Sequence, residues 1–107
     1  MSFKGDTVKL QDAVSMAATS QSTAADAGPF TNWTMSFVWT GTPTGTLTVE
    51  TSPNNTDWVT LTGSSQATSG AAGSFTVNQS GSGHRYIRGV YTRTSGTGAI
   101  TTYFTGK

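Results

Sequence analysis

The sequence predicts an all-β protein: a two-sheet antiparallel β-sandwich, Ig-like or jelly-roll-like, of about seven to eight strands. Three observations predict it. Apolar residues recur at every second position in several short stretches, which is the period of a half-buried strand and not of a helix. Trp33, Met35, Phe37 and Trp39 are the clearest case, with Asn32, Thr34, Ser36 and Thr40 on the opposite face and Val38 as the exception. Clusters of turn formers separate the stretches, among them Thr40–Gly45, Ser52–Asp57 and Thr94–Gly98. Finally, the 107 residues include 22 Thr, 13 Ser and 13 Gly, and Thr suits a pleated, half-buried surface. A small closed barrel is the alternative architecture.

Taken in order, Thr7–Leu10 is a short strand with Val8 and Leu10 on one face. Residues 13–28 are rich in Ala, Ser and Thr and read as a connection, in which Val14 and Met16 make a short edge strand; a helix over 12–25 is the competing reading. The Trp33–Trp39 strand follows and packs one face on the core. The strand Thr46–Thr51 returns from the Thr40–Gly45 turn, and Asp57–Thr62 returns from the Pro-Asn-Asn turn. Short connections favour antiparallel neighbours, so these three strands read as a meander. Gly63–Gly73 has no periodicity and reads as a loop crossing between sheets. Ser74–Asn78 points Phe75 and Val77 inward. Arg85–Thr94 has Ile87 and Tyr91 on one face with Gly89 between them, and Tyr86, Arg88 and Val90 on the other. Apolar residues on both faces suit a central strand or one that meets a partner. In Ala99–Thr105, Ile100 and Phe104 alternate with Tyr103.

Length argues for a single domain over 1–107, with 1–6 as an N-terminal arm, because termini are free unless tied down. Charged residues make up 10% of the chain, against about 25% in typical domains. Eleven aromatics (3 Trp, 3 Tyr, 5 Phe) argue against disorder all the same. The net charge is +1, so no strong field draws the chain to nucleic acid. The charge is unevenly placed. Lys4 and Lys9 against Asp6, Asp12, Asp26 and Glu50 leave residues 1–53 at −2, while Arg85, Arg88, Arg93 and Lys107 against Asp57 leave residues 54–107 at +3. With no cysteine, disulfides and thiolate metal sites are excluded. No apolar run approaches the ~20 residues that span a bilayer, and no basic-then-apolar leader opens the chain, so the expectation is a soluble protein made in a cytosol.

The residues that could carry chemistry do not assemble into a constellation. Glu50 and Asp57 flank one turn, where a glycosidase pair is conceivable, but a solvent-facing Glu50 and a turn-pinning Asp57 explain them better. His84 is the only histidine and lies in a Gly-Ser-Gly-His turn. One His and scattered acids give no metal-ligand spacing, and the glycine-rich segments open no helix that would cradle phosphate. The expectation is therefore a protein without catalytic residues, cofactor or metal. Trp33 and Trp39 are core by parity. Trp58 follows a turn and reads as a plug at the sandwich end, or as a sugar platform. Arg85 and Arg93 share a parity that Arg88 lacks, so the three make no single basic patch unless a bulge at Gly89 intervenes; pairing with carboxylates of a protein partner suits them better than nucleic acid.

Two stretches carry a family resemblance. Gly45 to Leu61, GTLTVETSPNNTDWVTL, resembles the Gly-Thr, alternating, Ser-Asn-Asp-Gly-x-x-Trp hairpin of small β-sandwich proteins encoded by tailed bacteriophages. Arg85 to Gly98, RYIRGVYTRTSGTG, resembles their late hairpin. Pro53, Asn54 and Asn55 replace the Asn-Asp-Gly core, which either alters the turn type or leaves an Asn to substitute for the Gly that tolerates positive φ. The resemblance implies a non-enzymatic virion protein that decorates a capsid from the virion surface in many copies. Its partners would be the major capsid protein and copies of itself in a homo-oligomer, a trimer at a local three-fold axis. The alternative is a glycan- or host-surface-binding module at a tail or fibre. Candidate partner contacts are Phe3, Lys4, Arg85, Arg88 and Arg93, and the displayed turn holds Asn54, Asn55 and Asp57.

Overall fold

A computed structural model describes residues 6–27, 31–79 and 85–106, and these form no helix. The strands are β1 (Asp6–Ser15), β2 (Ser20–Gln21), β3 (Ala25–Asp26), β4 (Trp33–Gly41), β5 (Thr44–Ser52), β6 (Val59–Thr60), β7 (Gln66–Ala67), β8 (Gly73–Gln79), β9 (Tyr86–Ser95) and β10 (Gly98–Gly106). One sheet has the order β1-β10-β4-β8. The other has β2-β9-β5-β6, with β3 also pairing β9 and β7 also pairing β5. All pairings are antiparallel. The two-residue strands are paired stretches of connecting chain, so ten strands fill eight places. The pairings β1 with β10, β2 and β3 with β9, β4 with β8, and β5 with β6 and β7 nest inside one another. Rolling that nested ribbon so that β10 meets β4 and β9 meets β5 yields a jelly roll, which decides between the two sandwich types that the sequence left open.

Three local expectations change. The helix over 12–25 does not form. β1 instead runs to Ser15 through two register shifts, and β2 and β3 follow. The predicted loop over 63–73 contains β7, although it does cross from one sheet to the other. The meander holds only at its second step: β5 pairs β6, but β4 and β5 lie in different sheets. Gly41, at φ +84°, ends β4, and the buried Pro43 turns the chain over the sandwich end. The β9–β10 connection makes the same crossing beside it, with Gly96 at φ +79°. The register of β4 against β10 runs from Trp33 opposite Gly106 to Gly41 opposite Gly98, and resumes as Thr44 opposite Ser95 in the other sheet. Between them the Thr42 N–H donates to the Thr97 carbonyl at 2.8 Å. A single two-stranded ribbon is thus bent double at this corner, and its halves form the centres of both sheets.

The core lies between these halves. Trp33, Met35, Phe37 and Trp39 point inward from β4, as their alternation predicts, and meet Leu47 and Val49 of β5 and Ile87 and Tyr91 of β9. Leu10 of β1, Ala25 of β3, Ile100 and Phe104 of β10, Val77 of β8, and Met16 and Ala27 complete it. Gly89 gives the Phe37 ring its space: a Cβ there would lie 2.5 Å from Phe37 Cε1. Buried polar groups have partners, as they must. The Thr102 hydroxyl donates to Gln11 Oε1 at 2.8 Å, the Gly89 N–H to Ser22 Oγ at 2.8 Å, and the Trp39 indole N–H to the Ala71 carbonyl at 2.7 Å.

Candidate functional site

The residues singled out from the sequence fall in three places. Phe3 and Lys4, with residues 1–5 of the expected arm and His84, lie outside the described residues; Asp6, the last residue of that arm, already pairs with Gly106 in β1. Arg85 and Arg88 stand at the start of β9, beside the connection from β5 to β6. Arg93 stands five residues beyond Arg88, about 17 Å along an extended strand.

The face of the second sheet that looks away from the core carries the Arg88 cluster. Inward-facing Val49, Ile87 and Gly89 leave Glu50 and Arg88 pointing outward from adjacent strands, where they are register partners. Arg88 Nη2 lies 2.7 Å from Glu50 Oε1, and Arg88 Nε donates to the same oxygen at 2.8 Å. The two side chains are only 19% and 21% exposed. The guanidinium lies 4.1 Å from the centroid of the Trp58 ring, a cation–π contact. Trp58 therefore does not plug the sandwich end; it is half-buried on the outer face, roofed by Arg88. Glu50 does face outward, but into an ion pair. Arg85 makes an exposed pair with Asp26 at 3.2 Å and stacks 5.0 Å over Tyr86. The carboxylates that Arg85 and Arg88 meet are thus this chain's own. Arg93 is exposed and donates from Nε to the Gly96 carbonyl at 3.0 Å. The bulge in β9 falls near Thr94, where the register with β5 shifts, and not at Gly89.

Removing the Arg88 side chain leaves Glu50 half-buried without its cation. The cost expected for Arg88→Ala is about 1–2 kcal/mol, between the values for exposed and buried pairs. Arg93→Ala stays within about 0.5 kcal/mol. Urea unfolding of both variants checks the ranking, and the Trp58 emission of Arg88→Ala changes with loss of its roof. Equal midpoints for the two would show that the ion pair contributes nothing.

The displayed turn is knit from within. Asn54 Oδ1 accepts from the backbone N–H groups of Thr56 and Asp57 at 3.0 and 2.9 Å, and Asn54 Nδ2 donates to Asp57 Oδ2 at 2.8 Å. Asn55 takes φ +63°, the position where a Gly would stand. Asn54, Asn55 and Asp57 are all exposed. Asp57 is held by Asn54 and Glu50 by Arg88, so the two acids that flank the turn are committed to separate partners. Among the described residues, no three His, Cys, Asp or Glu gather where a metal ion could be held.

An apolar cleft of about 300 Å³ opens between β1 and β3, at one open side of the sandwich. Val8, Leu10, Ala25 and Phe104 line it, with Asp26 at the same opening. Val8 and Leu10 do share a face, yet Val8 remains 50% exposed there.

No protein-family model and no curated protein matches the chain. Solved structures do share its fold. The SPBc2 prophage-derived protein YomS superposes with a TM-score of 0.62 at 11% identity, over 99% of this chain and 98% of that one. The PBSX exported protein XepA gives 0.61 at 18% identity over 94% of this chain, which spans 36% of XepA. A carbohydrate-binding module described as CBM4 gives 0.52 at 12% identity, over 81% of this chain and 61% of that one. At these identities the likeness is one of fold: the chain is an all-β sandwich of the kind found in prophage-encoded proteins and carbohydrate-binding modules.

Proposed function

We propose that the protein is a non-enzymatic structural component of a phage particle that decorates or cements the capsid from the virion surface. The observation that carries this reading is the end-to-end correspondence with YomS, a prophage-derived protein of nearly the same extent. The fold of XepA and the resemblance of Gly45–Leu61, which folds as the β5–β6 hairpin, to a phage β-sandwich hairpin support it. The mechanism is many-copy binding. On the shell, each copy buries a modest surface against the major capsid protein and against other copies grouped there as a trimer that forms only on the capsid, and repetition over the shell multiplies weak contacts. Arg93 and the Asn54–Asp57 turn are available for those contacts, being exposed and engaged only locally.

A second reading is a glycan- or host-surface-binding module at a tail or fibre. It draws on Trp58 standing half-buried beside an exposed amide-rich turn and on the fold of the carbohydrate-binding module. Quantitative mass spectrometry of purified particles separates the two. Decoration requires a copy number comparable to that of the major capsid protein. A few copies per particle would overturn it in favour of the tail, and quenching of Trp58 fluorescence by added sugars would then identify the ligand class.

A further inference from the structure

Each sheet of an open sandwich ends in strands whose outer N–H and C=O groups lack a partner, and proteins blunt such edges with charge, proline, bulges or brevity. Among the described residues, three of the four edges are blunted. β1 carries Lys9 and Asp12 and is broken by two register shifts. β2, β3, β6 and β7 are two residues long. β8 is the exception. Its seven residues, GSFTVNQ, contain no charge and no proline, and its register with β4 is unbroken from Trp33 opposite Gln79 to Trp39 opposite Gly73. Among the described residues, nothing pairs with its outer edge.

We infer that β8 is an assembly edge, and that its occupant is β8 of a second copy of this chain, paired antiparallel about a two-fold axis through Thr76. The strand is self-complementary in that register. Directly opposed residues in a sheet point to the same face, so a symmetric pairing must set inward residues against inward ones. Centring on Thr76 does so over the full length. It places Phe75 opposite Val77 twice on the core side, Thr76 opposite Thr76 on the outer side, and Ser74 opposite Asn78. Aromatic with β-branched and Thr with Thr are both favourable cross-strand pairs. Phe75, half-buried and stacked on Phe37 at 6.2 Å between centroids, gains cover from the partner's Val77. The neighbouring β4 carries no charged residue, so the pairing brings no like charges together. Two four-stranded sheets become one of eight strands. An isologous contact of this kind closes on itself. It stands independently of any virion role and would link two copies wherever the protein acts.

The experiment uses the purified chain alone, which separates it from the particle measurement. Light scattering over a concentration series to about 1 mM, the range for a contact of small area, should approach twice the chain mass of 11.1 kDa. Thr76→Lys sets two cations face to face at the axis and should return the monomer mass with its thermal midpoint little changed, since Thr76 is exposed. Mixing Thr76→Lys with Thr76→Asp should restore the doubled mass. Because the chain has no cysteine, Thr76→Cys should cross-link to a disulfide dimer on mild oxidation. Ser74→Cys should not, since its two copies would stand about 14 Å apart. A monomeric wild type throughout the series, or an oligomer that Thr76→Lys leaves intact, overturns the inference.

Discussion

Gly96→Ala is expected to lower the unfolding free energy by roughly 2–6 kcal/mol, about 1–3 from backbone strain and about 1–3 from overpacking. Gly96 holds φ +79°, and a Cβ there would overlap the backbone carbonyl of Thr42 and crowd Pro43. No side chain can rotate away, because the obstacle is the other strand of the ribbon at the corner where both cross between sheets. The two strands approach closely there because Thr42 and Thr97 remain hydrogen-bonded through the bend. Gly63 is the internal control. It holds φ +82°, yet a Cβ there would meet nothing within 4 Å, so Gly63→Ala should show only the positive-φ cost of about 1–2 kcal/mol. Urea unfolding of the two variants measures the difference. If Gly96→Ala cost no more than Gly63→Ala, close approach at the corner would not limit the fold. Against a typical total of about 5–15 kcal/mol, the larger loss leaves a domain that is partly unfolded at 37 °C.

The second large effect lies at the centre of the sandwich. Phe37 is 1% exposed and stacks on Phe75, so Phe37→Ala is expected to cost about 3–5 kcal/mol through lost burial and the cavity left behind. Its relation to Gly89 tests the packing further. Gly89→Ala alone drives a methyl into the Phe37 ring edge and should cost about 1–3 kcal/mol. Phe37→Leu removes the ring atoms that a methyl at Gly89 would meet and opens the space, so the double variant should be more stable than the sum of the two losses predicts by more than about 0.5 kcal/mol. Additive losses would mean that the two strands move apart to admit the methyl, and that the contact across the core is soft.

Much of this arrangement was legible in the chain. The alternation of Trp33, Met35, Phe37 and Trp39 identified the strand and its buried face, because a period of two leaves no other way to hide four large side chains. In β9 the parity of Ile87 and Tyr91 identified the strand, but Val90 and Tyr86 on the other face left its buried side open until the structure turned Ile87 and Tyr91 inward. At the turn the chain left two outcomes open, a changed turn type or an Asn in the Gly-like position, and the structure decided for the second, with Asn55 at φ +63°. The partnership of β4 with β5 was not legible. Two residues between strands ordinarily make a hairpin, but here Gly41 and Pro43 turn the chain over the end of the sandwich, and the hydrogen bonds of β4 go to β8 and β10 instead. β2, β3 and β7 were invisible for a related reason: two-residue strands have no period, and they exist because an edge of β9 or β5 runs beside them; β6 was foreseen, within the longer stretch Asp57–Thr62.

The candidate site divides in the same way. Arg85, Arg88, Arg93 and the Asn54–Asp57 turn could be picked out as polar residues at strand ends and turns. That Arg88 would neutralise Glu50 and cover Trp58 could not, since the partners stand 38 and 30 positions away in the chain and meet only through the register of β9 against β5 and the return of the chain after the turn.

By itself the sequence determined the class, all-β with one core, along with the inward faces of its long strands and the absence of cysteine chemistry. These are properties of residue type and local period, and they do not depend on which strand lies next to which. Only the tertiary structure decided that the sandwich is a jelly roll, that two of the three arginines pair with carboxylates of their own chain, and that β8 is left, among the described residues, as the one long edge without charge, proline or bulge. Each of those is a matter of pairing between distant segments, and pairing is settled by how the whole ribbon bends to bury its apolar face.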